Sequence, residues 1–234
     1  MKTREGRWKQ MVAIGAALAL LAAFFWWQNN GLTVSRYEFT STKVPRELDG
    51  YTIVQLSDLH NHRFGDGQRR LLKLVEELEP DLVLMTGDLV DRNRTDLIPA
   101  LELAKGTLEL APTYYITGNH EWSIADRERT ELLEGMTEAG VVVLEDRCAV
   151  LPVGESCLVL AGLSDESLRD GTVDWLMEDV PDDYPSCWPT SPNLFPTTPG
   201  PERTLYFPAT PTAARYGCLL WAASMRRGRD SCPN

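Results

Sequence analysis

Three short polar groups in this chain carry the residue types that bind divalent cations: Asp58-Leu59-His60, Gly87-Asp88-Leu89-Val90-Asp91 and Gly118-Asn119-His120-Glu121. Carboxylates, imidazoles and an amide oxygen suit hard or borderline ions rather than soft ones. A pair of such ions about 3.5–4 Å apart can clamp a phosphoryl group and supply hydroxide near neutral pH. Taken singly, each group is also ordinary turn chemistry: Asp88 could cap a helix, and Asn119 could accept a left-handed turn. Their occurrence together, each straight after an apolar run, is much harder to assign to turns. His62 follows His60 by two residues and reads as a solvated bystander, while Arg63 offers a contact to a substrate phosphate.

The apolar runs set where these groups must lie. Residues 51–56 form a β-rich run ending at Ser57, residues 81–85 run into Thr86 and Gly87, and residues 113–117 run into Gly118. Between them come two helical stretches. In the first, Leu71, Leu74, Val75 and Leu78 share a face, and Pro80 ends it. In the second, over 96–110, Ile98, Leu101, Ala104 and Leu108 are expected to point inward, and Pro112 closes the segment. A third helix over 124–139 stops at Gly140. An earlier strand is expected within 32–42, a loop over 43–50, and three later strands over 141–144, 148–152 and 157–162. Alternating strands and helices specify a layered βαβ sheet. All three polar groups then fall at the carboxyl ends of strands, the edge where open α/β sheets bind ligands.

The order DxH, GDxxD, GNHE resembles the calcineurin-like metallophosphoesterase superfamily over roughly residues 51–169. The run Ile53-Val54-Gln55-Leu56-Ser57-Asp58-Leu59-His60, with the apolar N-terminal segment ahead of it, is similar to the membrane-associated bacterial branch. The resemblance implies an α/β fold, a four-layer α/β/β/α sandwich. It implies hydrolysis of a phosphomonoester, phosphodiester or pyrophosphate bond by metal-bound hydroxide. Two divalent ions (Mn, Fe or Zn) are implied, with Asp58 and His60 on the first, Asp88 bridging, and Asn119 on the second through its amide oxygen. His120 would face the phosphate and protonate or stabilise the leaving oxygen, with Asp91 orienting its ring; Glu121 is not carried over as a ligand. Some members of related branches act on UDP-2,3-diacylglucosamine, so a phosphorylated small molecule or a lipid-linked envelope substrate is expected. A haloacid-dehalogenase-like phosphatase is disfavoured, because its nucleophile motif places Asp two residues after Asp, where this chain has His60.

Lys2, Arg4, Arg7 and Lys9 precede an uninterrupted apolar run over 11–27. The run is at the short end for a bilayer span, which takes ~17–25 residues. Trp26 and Trp27 stand at its far end, where head-group anchors belong. Positive charge ahead of the run predicts a cytoplasmic segment over 1–10, a single pass through the cell membrane, and an extracytoplasmic catalytic domain. A cleaved signal peptide is the rival reading. The run ends in Phe-Phe-Trp-Trp rather than a small-x-small site, which favours an uncleaved anchor. The composition, 43% hydrophobic and 24% charged, is that of a globular chain. A net charge of −11 argues against a broad nucleic-acid interface, and no nucleic-acid partner is expected. Five cysteines without CxxC spacing suggest neither a zinc finger nor a disulfide framework.

The catalytic domain is expected over 32–183 and is expected to be incomplete. The family pattern has three further histidines, one in a segment like LxHxPE and two in GHxHGGQ. The three histidines of this chain are His60, His62 and His120. At face value 184–234 reads as a Pro-rich tail without a sustained period: ten of the 15 prolines lie from Pro181 onward. The genetic code offers another explanation. Joining the last base of each codon to the first two of the next forces Leu from Cys187/Trp188 and Ala from Trp188/Pro189. It then permits Leu-Ala-His-Gln-Pro-Glu-Leu, and from Pro208 to Arg215 it permits Gly-His-Ala-His-Gly-Gly-Gln. The tail is then an out-of-frame reading of a phosphoesterase C-terminus. As written, the chain is expected to lack one histidine on the first ion and two on the second. It is also expected to leave a sheet edge unpaired and to have little activity. The reading from a different class is a membrane-tethered, non-catalytic remnant or binding protein.

Overall fold

α1 (Arg4–Asn30) opens the chain in this computed structural model, which describes residues 4–42, 44–162, 187–191, 205–206 and 219–227. Its residues from Trp8 to Phe25 are all exposed, and they form one helix long and apolar enough to cross a membrane. Over Trp8–Phe25 the helix is apolar and unburied, which suits lipid better than water.

The elements then follow the sequence pattern closely. β1 (Val34–Ser41) leads through a 3-10 turn to β2 (Thr52–Ser57), α2 (Arg69–Glu76), β3 (Leu82–Thr86), α3 (Ile98–Leu108), β4 (Thr113–Ile116), α4 (Asp126–Ala139) and β5 (Val142–Val143). β6 (Arg147–Val153) and β7 (Ser156–Gly162) form an antiparallel pair. β8 (Cys187–Ser191), β9 (Leu205–Tyr206) and β10 (Leu219–Arg227) complete the described strands. One sheet has the order β1-β10-β2-β3-β4-β5, and the other β6-β7-β8-β9. β2, β3, β4 and β5 run parallel, as strands joined by crossover helices must.

β2 and β3 are buried on both faces, so their side chains divide between two cores. Val54, Leu56, Val83 and Met85 meet Leu71, Val75, Leu103 and Leu132 of the helices. Ile53, Leu82 and Leu84 meet Leu151, Leu158 and Leu160 of the second sheet. Period-2 alternation thus sorts one strand into two layers. Among the described residues the layers are helix, sheet and sheet; the fourth expected layer lies outside them.

Two details differ from the sequence reading. The inward face of α3 is Ala100, Leu103, Ala104 and Thr107, while Ile98 is 57% exposed. Of the stripe read from Ile98, Ala104 is buried and Leu101 and Leu108 pack against the margin of the core, so it is Ile98 that falls off the buried face. The second concerns the Pro-rich stretch, which contributes strands. In β10, Leu220 and Ala222 face the helix side and Met225 the inter-sheet side. β10 lies between β1 and β2, so neither of those two strands leaves the flank facing β10 open. Strand pairing needs only free backbone groups and a short alternating run, which this segment supplies despite its surroundings.

Candidate metal centre

The three parallel strands β2, β3 and β4 end side by side, and the chain turns sharply after each. Asp58, His60 and Asn61 follow β2 with φ of 57°, 46° and 61°, and Asp88 follows β3 with φ of 52°. Non-glycine residues rarely adopt this left-handed conformation, which costs about 1–3 kcal/mol each and persists where the surroundings impose it. Here the surroundings are two loops laced together. Asp58 N donates to Gly87 O at 3.2 Å, His60 N to Asp88 O at 3.0 Å, and Asn61 N to Leu89 O at 3.0 Å. The Asn61 side chain adds two more ties, accepting from Asp91 N at 3.1 Å and donating to Arg94 O. Glycine is required on the third side: a Cβ on Gly87 would overlap the backbone of Gly118, and one on Gly118 would overlap Asp88.

These turns bring the side chains together. Ligand atoms of His60, Asp88 and His120 lie within 4.8 Å of one another. His60 Nε2 is 3.6 Å from Asp58 Oδ1, and the His60 and His120 rings meet edge to face at 4.5 Å. Asn119 directs one end of its amide at the Asp88 carboxylate, 3.3 Å from Oδ1 and 3.0 Å from Oδ2. With nitrogen there, the amide donates to the acid. With oxygen there, two acceptors face each other, and a cation between them relieves the repulsion. Among the described residues the buried His60 Nδ1 has no hydrogen-bond partner. This donor set of carboxylates, imidazole and amide fits a hard or borderline divalent ion.

The hydrogen bond that the His60 ring N–H offers to the Asp58 carboxylate raises its pKa, against burial that lowers it; the charges of Asp88, Asp58 and Asp91 add to the rise. Burial, followed by the nearby His60 and Arg92, lowers that of His120. His120 Nδ1 accepts from Arg92 N at 3.3 Å, and the His120 backbone N–H donates to Asp88 Oδ1 at 2.9 Å. The hold on the His120 ring therefore comes from Arg92 rather than from Asp91, whose Oδ1 accepts from Asn93 N and Nδ2 at 2.7 and 3.0 Å. Asp91 lies near both imidazoles, and their charge helps to lower its pKa, after the bonds from Asn93. Arg63 is engaged by Asp96 at 3.1 Å and Glu102 at 3.4 Å, and His62 rests against the Phe64 ring at 4.4 Å.

Glu121 and Asn61 are the residues that sequence reasoning passed over. Glu121 is fully buried and accepts four backbone N–H groups, from Asp88 and Gly118 at 2.8 Å, Leu89 at 2.6 Å and Val90 at 3.1 Å. It ties the loop after β3 to the loop after β4. Burial, then the Asp88 charge, push its carboxyl upward, and the backbone donors oppose them. A signal existed in its place directly after His120, since an acid that is no ligand still needs donors when buried.

Comparison with known proteins decides the family. The profile of the calcineurin-like phosphoesterases matches residues 51–202, more than half of the chain. The chain belongs to the calcineurin-like phosphoesterase family. This phosphoesterase is 33% identical over 138 residues to the "Transmembrane protein with metallophosphoesterase domain" of Danio rerio, covering 56% of this chain and 31% of that protein. It is 24% identical over 146 residues to the "Uncharacterized metallophosphoesterase YkoQ" of Bacillus subtilis, covering 61% and 53%. It is 32% identical over 124 residues to "UDP-2,3-diacylglucosamine pyrophosphatase LpxG" of Chlamydia trachomatis, covering 48% and 37%. The phosphoesterase thus spans about a third to a half of the length of these relatives. The family comprises metal-dependent hydrolases of phosphoric esters, and the cluster of His60, Asp88 and His120 stands where such a metal site would be.

Proposed function

We propose that this chain is built to hydrolyse a phosphoester at a two-ion centre, on a lipid-linked or envelope substrate of the UDP-2,3-diacylglucosamine kind. The convergence of three strand ends on His60, Asp88 and His120 carries the reading. Asp58 and His60 would hold one divalent ion (Mn, Fe or Zn), Asn119 the other, with Asp88 shared between them. When bound, such ions neutralise phosphate charge and lower the pKa of water.

The protein side chains set the rest. Arg92 N–H occupies His120 Nδ1 as a donor, so the neutral ring carries its proton on Nε2. That tautomer can donate to a phosphate or leaving oxygen, which suits an acid role better than a ligand role. The lowered pKa keeps the ring neutral. Asp91 adds negative charge beside the two imidazoles. The anchor helix supports a substrate at the membrane, with residues 1–10 cytoplasmic and the domain on the other side.

The chain has no histidine after His120, which leaves the second ion with Asp88 and Asn119 alone. The chain as written is therefore a weak catalyst, and the frame restored after about Asp183 supplies the remaining histidines. Sequencing the gene across the codons for Asp182 to Trp188 tests the frame. Assaying both proteins on an aryl phosphodiester with Mn²⁺ tests the function. Turnover is expected from the restored protein and close to background from the chain as written. An inactive restored protein that takes up no metal sinks the reading. A shifted frame that is real in the gene supports the second reading, a membrane-tethered non-catalytic remnant or binding protein.

A further inference from the structure

The strand registers place the membrane anchor on the same edge of the sheet as the metal centre. Val34, the first residue of β1, pairs with Leu220 of β10, and Leu220 pairs with Leu56 of β2. Leu56 is two residues before Asp58. With strands ~4.8 Å apart, the start of β1 lies roughly 10 Å across the sheet from the end of β2. Only residues 31–33 separate α1 from β1. At ~3.5 Å per residue that link cannot carry the helix to the far end of the domain.

The surface of that edge matches the position. Its exposed apolar side chains are Ile98, at the start of α3 and 57% exposed, and Trp122, after β4 and 41% exposed. The Arg129 guanidinium lies 4.5 Å from the Trp122 ring. Indole beside a cation is the pairing favoured at head-group level. α2 carries exposed Arg69 and Arg70 at its start, on this edge, and exposed Glu76 and Glu77 at its end, with Glu79 following. The arginines at its start are on the side the helix dipole does not favour, while Lys73 in its last turn pairs with Glu77 at 4.0 Å. Arg94 is exposed on the same edge, where Asp96 and Asp126 are paired with Arg63 and Arg129 and exposed Asp66 precedes α2. The carboxyl end thus offers arginine, indole and an aliphatic chain, while the amino end carries Glu76, Glu77 and Glu79 together with Lys73, Arg226 and Arg227.

We propose that the carboxyl edge of the main sheet lies against an anionic bilayer surface, the bilayer that holds α1. The site then meets phosphoesters carried by lipids at head-group depth, a substrate statement that rests on the phosphoesterase reading above. A soluble phosphoester would gain nothing from this placement.

The test uses the full chain in vesicles of phosphatidylcholine and phosphatidylglycerol, with a photoreactive benzoylphenylalanine placed at Ile98 or, separately, at Glu79. Side chains of interfacial segments sink ~5–10 Å into the head-group layer, so about tenfold more lipid adduct is expected from position 98 than from position 79. Replacing phosphatidylglycerol by phosphatidylcholine should reduce the adduct at 98, as should Arg94→Glu. Equal labelling at the two positions, or more at 79, overturns the proposal. Asp88→Asn should leave the labelling unchanged, because the surface does not depend on the ions. A frame-restored protein that labels strongly at position 98 yet shows no metal-dependent hydrolysis would count against the phosphoesterase reading alone.

Discussion

At the carboxyl ends of β2 and β3 four non-glycine residues, Asp58, His60, Asn61 and Asp88, sit in the left-handed region; at the amino ends only Glu79, just before Pro80, does so. The devices that close the two ends differ as well. At the amino end Asp81 and Thr52 make a reciprocal pair: Thr52 N donates to Asp81 Oδ2 at 2.7 Å and Asp81 N to Thr52 O at 2.9 Å. At the carboxyl end Glu121 alone accepts four backbone donors in full burial, and three backbone bonds lace the neighbouring loops. One end is an exposed latch. The other is a rigid frame holding strained turns, and that rigidity is what lets acids and imidazoles stay close before any cation binds.

The comparison breaks most visibly at Asp88. In the frame-restored protein Asp88→Asn should reduce Mn²⁺-dependent hydrolysis of an aryl phosphodiester to background while the circular dichroism spectrum stays unchanged. Retention of full turnover would remove Asp88 from the shared-ligand role.

Removing the two latches should measure the difference between the ends directly. Glu121→Ala strands four buried donors and should cost about 3–5 kcal/mol in urea unfolding. Asp81→Ala, at the exposed end, should cost about 1 kcal/mol. Equal costs would mean that the buried carboxylate is no frame at all.

The smallest effect is a pH dependence. His60 is held above its ordinary value by the hydrogen bond its ring N–H makes to the Asp58 carboxylate, so in the ion-free protein an incoming cation must displace a proton. Metal uptake, followed by calorimetry, should weaken as pH falls through the raised value, by about tenfold per pH unit. The stability contribution runs the other way. It is fully present below the unfolded value of ~6.5 and is lost as pH rises through the folded one. Uptake that is flat with pH would show that His60 is not a ligand.

The N-terminal apolar run, the order of strands and helices up to residue 162, and the chemistry of the three polar groups were all determined by sequence alone. Each is a local property: periodicity, a breaker such as Pro80 or Gly140, or a residue type at a strand end. What lay beyond reach depends on neighbours distant in the chain. Nothing near Ile98 says that α3 turns it outward, because the buried face is decided by which residues, Ala100, Leu103 and Ala104, join the core shared with β2 and β3. Nothing near Leu219 says that a Pro-rich stretch returns to pair with both β1 and β2. Asn61 and Glu121 look like ordinary polar residues until the loops they clamp are seen together. The residue types that could bind a cation were written in the chain, whereas the frame that brings His60, Asp88 and His120 together, and the edge of the sheet that α1 leads into, arise only from contacts made across the fold.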